Sequence, residues 1–191
     1  MHIKIIGDSF AAHLRSDLGH NQFHPNVIST WEAVSGQTAE RVANQKRGHS
    51  GLRADGLIVQ LGSNDLCSRG PDEVAGHLEE IFAWATRGGC WSLTFVPVLP
   101  RKSTRHLVGK TLAQYNADVC ILNQDMYMKG FIFLNVPEFV EFGVHMLGDD
   151  GIHLARRCAP GCMTPAQVLC QGYYETVTQM YNYHSRYLIR Y

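Results

Sequence analysis

Residues 2–10, HIKIIGDSF, indicate most clearly which class of fold this chain adopts. The β run His2–Ile6 holds isoleucine at three of its five positions, and a glycine and two polar residues follow it directly. From Phe10 to Leu18 the apolar residues recur at helical spacing. A strand that passes through a short polar turn into a helix is the first half of a parallel β–α–β unit.

The same alternation of strand and helix continues along the chain. Further strands are predicted at Asn26–Thr30, Gly56–Leu61, Trp91–Val98 and Phe131–Asn135. Helices are predicted at Phe10–Leu18, Thr38–Lys46, Asp72–Thr86, Leu107–Met126 and Pro165–Tyr183. Five apolar strands separated by helices predict a parallel sheet that is covered on both faces. We therefore expect a single three-layer α/β/α domain over residues 1–191, with a five-stranded parallel sheet.

The composition fits an ordinary globular protein and restricts its partners. Hydrophobic residues make up 45% of the 191 residues and charged residues 18%, which is too apolar for a disordered chain. Lysine plus arginine and aspartate plus glutamate both number 17, so the formal net charge is zero. The chain therefore lacks the excess of basic residues that would favour binding to nucleic acid or to an anionic membrane surface.

The localisation is inferred from targeting signals and cysteines. No apolar run reaches the roughly 20 residues of a membrane-spanning helix, and no signal peptide is recognisable at the N-terminus. The six cysteines are scattered through a chain that is large enough to fold without disulfides. We expect a cytoplasmic protein with free thiols, no membrane span, and neither a metal nor a cofactor.

Three polar, glycine-containing segments follow the first three predicted strands. They are Gly7–Ser9, Ser35–Gly36 and Gly62–Asp65. Ligand sites of parallel α/β sheets lie beyond the carboxyl ends of the strands. The sequence therefore places the candidate active site at this edge of the sheet.

The groups that acyl transfer requires occur in these segments and near the C-terminus. Ser9 lies at a strand-to-helix junction and can serve as the nucleophile, with its own amide as an oxyanion donor. Gly36 can offer a backbone N–H that no Cβ blocks, and Asn64 can offer a side-chain amide. Asp150 and His153 are three residues apart on a tight turn, so the carboxylate can orient the imidazole as a general base.

Together these motifs resemble the four signature blocks of the SGNH/GDSL hydrolase family. The blocks are GDS at residues 7–9, Gly36, GSND at residues 62–65 and DGIH at residues 150–153, in the family's order. The resemblance implies a flavodoxin-like SGNH hydrolase fold. It also implies Ser9 as nucleophile, His153 as base and Asp150 as its partner. The oxyanion hole it implies consists of the Ser9 amide, the Gly36 amide and the Asn64 side chain.

Two departures from the family's pattern are mild. Phe10 replaces the usual leucine after GDS, and Ser63 occupies a position often held by glycine or another small residue. Neither removes a catalytic group, and Asp8 is expected to bond backbone amides in the turn rather than to catalyse. The stretch at residues 96–116, VPVLPRKSTRHLVGKTLAQYN, is similar to SGNH domains encoded in animal retroelements.

The resulting hypothesis is a serine esterase for small or medium acyl esters, acting through an acyl-enzyme on Ser9. Its expected partner is a small-molecule acyl ester or a lipid. The alternative is a catalytically silent SGNH-fold module that binds lipid or dimerises within a larger retroelement protein. The complete set of catalytic residue types favours the esterase.

Other polar residues near the site have two interpretations each. Asp149 could orient the base instead of Asp150, although the three-residue spacing favours Asp150. His145 could line the pocket, but a histidine on a surface loop is favoured. Arg101 and Arg105 follow a strand end and could meet an anionic substrate, although an exposed structural pair is favoured.

Two further clusters have a functional and a structural interpretation. Cys158 and Cys162, with Cys170 beyond them, could hold zinc, but a structural site needs four ligands, so thiols are favoured. Five tyrosines of the last segment are expected to pack the helix, with a homodimer face as the alternative. These are Tyr173, Tyr174, Tyr181, Tyr183 and Tyr187.

Overall fold

A sheet of five parallel strands forms the centre of the molecule, in a computed structural model that describes residues 1–18, 23–136, 143–155 and 162–187. The strands are β1 His2–Gly7, β2 Ile28–Ala33, β3 Gly56–Gln60, β4 Ser92–Phe95 and β5 Ile132–Phe133. Their order across the sheet is β2-β1-β3-β4-β5, and every pair is parallel. This confirms the predicted five-stranded parallel sheet, and the order is the flavodoxin-like one.

Helices cover both faces of the sheet. They are α1 Ser9–Leu18, α2 Ala39–Lys46, α3 Pro71–Arg87, α4 Leu112–Met128 and α5 Pro165–Tyr187. Ile3 and Ile5 of β1 pack in the layer of α1 and α5, whereas Ile6 packs in the layer of α2, α3 and α4. The central strand β3 is buried along its whole length, as a strand between two helical layers should be. None of the described helices is long and apolar enough to cross a membrane.

Helix α4 begins five residues later than the predicted start at Leu107. Its first turn is closed by a capping box, in which the Thr111 hydroxyl accepts the Gln114 amide and the Gln114 side chain accepts the Thr111 amide. His106 has a positive φ of 72°, which no helix accommodates. The residues before Thr111 therefore form a loop, and this loop lines the site described below.

Three strands differ from their predicted bounds by more than one residue. Strand β5 covers only Ile132–Phe133 instead of Phe131–Asn135. Strand β4 ends at Phe95 rather than at Val98, because Pro97 has no N–H for the ladder. Asn123 of α4 replaces the missing strand partner, accepting the Val98 amide at 3.0 Å and donating to its carbonyl at 2.9 Å. Strand β2 runs to Ala33 instead of ending at Thr30, because the edge of the sheet tolerates its polar residues.

The junction of β1 and α1 requires a glycine. A Cβ on Gly7 would lie 2.3 Å from the Cβ of Ala11 and 3.3 Å from the Gln60 carbonyl oxygen. Any other residue would push α1 away from the sheet. The close approach fixes the position of Ser9, the first residue of α1, relative to the end of β3.

Candidate active site

Ser9, His153 and Asp150 form a continuous hydrogen-bonded relay at the carboxyl edge of the sheet. The Ser9 Oγ lies 3.0 Å from the Nε2 of His153, and the Nδ1 of His153 lies 2.7 Å from the Oδ2 of Asp150. With the imidazole proton on Nδ1, facing the carboxylate, Nε2 is free to accept the Ser9 hydroxyl proton. The structure thus brings the serine to an imidazole that lies 144 positions away in the chain.

Asp150 uses both of its oxygens to hold the turn that carries His153. Its Oδ1 accepts the backbone amides of Ile152 and His153, each at 2.9 Å. Burial alone would raise the pKa of this carboxyl, but the hydrogen bonds from the His153 ring and the two amides lower it to about 2. The carboxylate is therefore charged at every pH at which an esterase would be assayed. Asp150, and not Asp149, contacts the imidazole.

The ring of His153 is enclosed by aromatic neighbours on α1. Its centroid lies 5.5 Å from that of Phe10 and 5.1 Å from that of His13. Phe10, the residue that departs from the family's usual leucine, thus supports one side of the imidazole. The ring remains only partly buried, so its Nε2 edge faces the cleft.

Two groups that could bind an oxyanion line the same cleft as Ser9. The Asn64 side chain donates one N–H to the Gln37 carbonyl at 3.0 Å, and its second N–H remains for another acceptor. Gly36 adopts a positive φ of 75°, and apart from its two chain neighbours no described residue has an atom within 4 Å of the position that a Cβ would take. A glycine is favoured there because of its backbone conformation.

Asp65 joins the two loops that carry these donors. It belongs to the GSND block, but the sequence predicted no role for it. It is 2% exposed, and its carboxylate accepts the amides of Ala39 at 2.9 Å and Glu40 at 3.2 Å. A carboxylate from the loop after β3 thus caps the first turn of α2, next to the N-cap residue Thr38, whose hydroxyl accepts the Arg41 amide at 3.2 Å. Asp65 thereby fixes the Gly36 loop against the Asn64 loop.

Asp8 is a buried carboxyl that braces the turn before Ser9. Its Oδ1 accepts the Phe10 amide at 3.0 Å, which confirms the predicted bond to the turn, and its Oδ2 accepts the Ser63 hydroxyl at 2.8 Å. Burial raises the pKa of Asp8 to about 6, against the smaller opposing effects of these two bonds.

We expect Asp8→Asn to remove a pH dependence of stability. The folded pKa of about 6 exceeds the ordinary value of 3.8, so the contribution of Asp8 is full below about pH 4 and is lost as pH rises through 6. Between about pH 4 and pH 7, the wild type should therefore lose up to about 3 kcal/mol of unfolding free energy relative to Asp8→Asn. Urea denaturation at the two pH values measures this difference. Asp149→Asn, at an exposed carboxylate, is the control and should show the same pH dependence as the wild type. If Asp8→Asn lost as much unfolding free energy between the two pH values as the wild type does, Asp8 could not be the group that titrates.

The relay and both donors line one open cleft with a volume of about 540 Å³. Arg101 and Arg105 line it as well, but the expected exposed pair is wrong for Arg101, which is only 3% exposed. Its guanidinium lies 4.8 Å from the ring centroid of Tyr115, so packing against α4 buries it. Arg105 is exposed, and so is His145, as favoured for a surface loop.

The cysteines and tyrosines that the sequence singled out lie in several parts of the fold. Cys158 lies outside the described residues, so the candidate pair with Cys162 stays untested, whereas Cys67 and Cys90 are buried thiols. Tyr173 is fully buried and donates to the Gln60 side chain at 2.8 Å, which confirms a packing role. Tyr174 and Tyr183 are about half exposed.

Comparisons with known proteins show which solved structures have a similar fold. No model of a known protein family and no curated protein matches the sequence. Among solved structures, a GDSL-like lipase from Bacteroides thetaiotaomicron is similar with a TM-score of 0.68 and 13% identity, over 93% of this chain and 88% of that one. A lipolytic protein of the G-D-S-L family from Veillonella parvula matches with a TM-score of 0.65 and 13% identity, over 94% and 99%.

An acetylxylan esterase from Geobacillus stearothermophilus, solved as a catalytic mutant, is a further structural neighbour. Its TM-score is 0.59 at 14% identity, over 92% of this chain and 93% of that one. At such identities the likeness concerns the fold. The chain therefore has the α/β fold found in GDSL-type hydrolases.

Proposed function

We propose that this chain is a serine esterase that hydrolyses small or medium acyl esters through an acyl-enzyme on Ser9. The observation that carries the proposal is the relay, with 3.0 Å between Ser9 Oγ and His153 Nε2 and 2.7 Å between His153 Nδ1 and Asp150 Oδ2. A fold shared with proteins described as lipases and esterases supports a hydrolase. The substrate is a small-molecule acyl ester or a lipid, and the chemistry requires neither a metal nor a cofactor.

In the first half-reaction, the Ser9 Oγ attacks the ester carbonyl carbon while the His153 Nε2 takes its proton. The negative charge moves to the carbonyl oxygen, where the amides of Ser9 and Gly36 and the side chain of Asn64 can bind it. Asp150 stabilises the imidazolium. When the C–O bond to the alcohol breaks, His153 returns the proton to the leaving oxygen, and the acyl group stays on Ser9.

In the second half-reaction, a water molecule takes the place of the alcohol. His153 removes a proton from this water as it attacks the acyl carbon, and a second oxyanion forms at the same donors. The intermediate collapses to a carboxylic acid, and Ser9 recovers its proton. One water is consumed for each ester that is cleaved.

A catalytically silent module that binds lipid or dimerises is the rival function. The relay favours the esterase, because a binding module has no need of a serine hydroxyl hydrogen-bonded to a carboxylate-oriented imidazole. A retroelement origin, a cytoplasmic location and a homodimer remain predictions from the sequence.

A series of p-nitrophenyl esters from acetate to laurate tests the proposal. We expect hydrolysis with the highest kcat/KM among the short and medium chains. A burst of about one p-nitrophenol per chain is expected wherever deacylation is the slower step. A purified, folded chain that hydrolyses none of the series would contradict the esterase.

Asn64→Ala should lower kcat by about 10²–10³ while KM changes little, if the amide binds charge that develops only in the transition state. Steady-state kinetics on p-nitrophenyl acetate separates the two constants. Asn182→Ala, at an exposed position on α5, is the matched control and should behave like the wild type. A rise in KM at unchanged kcat would show that Asn64 binds the ground-state ester instead.

A further inference from the structure

Arg101 is a buried cation without an ion-pair partner among the described residues. Its N–H groups donate to the Cys67 sulfur at 3.0 Å, the Ser63 carbonyl at 3.0 Å and the Arg105 carbonyl at 3.5 Å, all of them neutral acceptors. Within the described ranges, no carboxylate forms an ion pair with this guanidinium, although its charge opposes the rise of the Asp8 pKa from farther away. A buried charge is costly unless a counter-charge meets it. Together with a side-chain hydrogen bond to Tyr115, these bonds still leave part of the five-donor guanidinium without an acceptor among the described residues.

Both the backbone and the guanidinium of Arg101 are fixed by hydrogen bonds, next to the loop that carries Asn64. Asn116 of α4 pairs with the backbone of Arg101 at both ends, accepting its N–H at 2.8 Å and donating to its carbonyl at 3.0 Å. The Ser63 carbonyl that Arg101 contacts belongs to the residue just before Asn64. The positive charge is therefore preorganised in the wall of the cleft that contains Ser9.

The cleft has a local excess of positive charge on a chain whose formal net charge is zero. Arg105 and His106 lie on its exposed side, and Arg105 forms no ion pair with any described residue. Among the described lining residues, Asp150 carries the sole carboxylate, and that group is engaged with His153. A purely structural role for Arg101 would explain its bonds to Ser63 and Cys67, but not a second arginine at the rim.

We propose that Arg101 and Arg105 bind an anionic group, a carboxylate or a phosphate, on the ester that Ser9 cleaves. The inference rests on the proposed esterase function and names its substrate class as acidic esters. Arginine suits this task because its planar fork of donors matches both anions. Arg105 would attract the anion at the rim, and Arg101 would fix it inside the cleft.

Two pairs of esters test the inference, each pair with and without one negative charge. Mono-4-nitrophenyl adipate against its methyl ester places the charge on the acyl side. 4-Carboxyphenyl acetate against its methyl ester places the charge on the alcohol side. We expect kcat/KM of the wild type to be about tenfold or more higher for the anionic member of at least one pair, which also identifies the side. High ionic strength should reduce this preference.

Variants show which residues cause the preference for the anionic ester. Arg105→Gln should reduce the ratio of anionic to neutral kcat/KM at least about threefold, and Arg101→Lys should reduce it further. Arg53→Gln, at an exposed arginine near the opposite edge of the sheet, is the control and should keep the wild-type ratio. If Arg101→Lys has a lower melting temperature than the wild type, the result for Arg105→Gln decides the test.

Three results would overturn the inference. Neutral esters cleaved as well as their anionic partners in both pairs would exclude acidic esters while leaving the esterase intact. A preference that survives in both Arg101→Lys and Arg105→Gln would show that other groups bind the anion. Hydrolysis of no ester by the folded wild type would remove the esterase itself and this inference with it.

Discussion

Ser9→Ala is expected to lower kcat for p-nitrophenyl acetate by about 10⁴-fold or more, because no other group would form the acyl-enzyme. Ser9 is 9% exposed as a residue, and the described side-chain partner of its hydroxyl is the His153 ring, so the fold should be retained. Circular dichroism and the melting temperature check the fold. Stopped assays at high enzyme concentration measure the residual rate.

Ser16→Ala is the matched control for this variant. Ser16 lies on the same helix, α1, and its side chain is exposed. It should keep wild-type kinetics. If purified Ser9→Ala retained more than a few per cent of the wild-type kcat, the nucleophile would have to be another residue.

Asp150→Asn should lower kcat by about 10³–10⁴-fold, an effect of the size that serine proteases show when the aspartate of their triad is replaced by asparagine. The amide keeps the shape of the carboxylate but loses the charge that stabilises the imidazolium. It can also present an N–H₂ to Nδ1 and so favour the wrong tautomer. The kcat of the wild type, measured below and above neutral pH, is the reference for this comparison.

The pH profile separates this electrostatic role from a structural one. Since the pKa of Asp150 is lowered to about 2, the wild-type carboxylate stays charged throughout the assay range. Removing its charge disfavours the imidazolium, so the acid limb of kcat/KM should move to lower pH in Asp150→Asn. Asp149→Asn should change neither kcat nor the limb. A larger loss in Asp149→Asn would contradict the relay.

The sequence was sufficient for the parts of the site that depend on local order. A β run followed by GDS predicts a serine at the junction of a strand and a helix, and Ser9 lies at that position. The three-residue spacing of Asp150 and His153 predicts their contact, because a tight turn brings both side chains to one side. Such features follow from the neighbours in the chain, so a pattern is enough to find them.

The features that depend on distant contacts could not be predicted in this way. Asp65 caps a helix that begins 26 positions earlier in the chain, and nothing near it in the sequence indicates this bond. Arg101 is buried because α4 packs against it through Tyr115 and Asn116. An arginine among polar residues is ordinarily exposed, which is why the expectation was wrong.

One boundary error had a signal that could have been used. Thr111 and Gln114 have the spacing of a capping box, which predicts a helix start at this point rather than at Leu107. With that start, residues 100–110 become a loop at the carboxyl end of β4, which is where a substrate-binding segment is expected. Arg101 and Arg105 would then have been stronger candidates.

The central claim is that Ser9 is a nucleophile activated by His153, and covalent trapping tests it most directly. The wild type is treated with a fluorophosphonate, and the intact mass and the modified peptide are determined by mass spectrometry. We expect one adduct per chain, on Ser9, formed much more slowly in His153→Ala. An adduct on another residue, or a folded wild type that forms none, would contradict the claim.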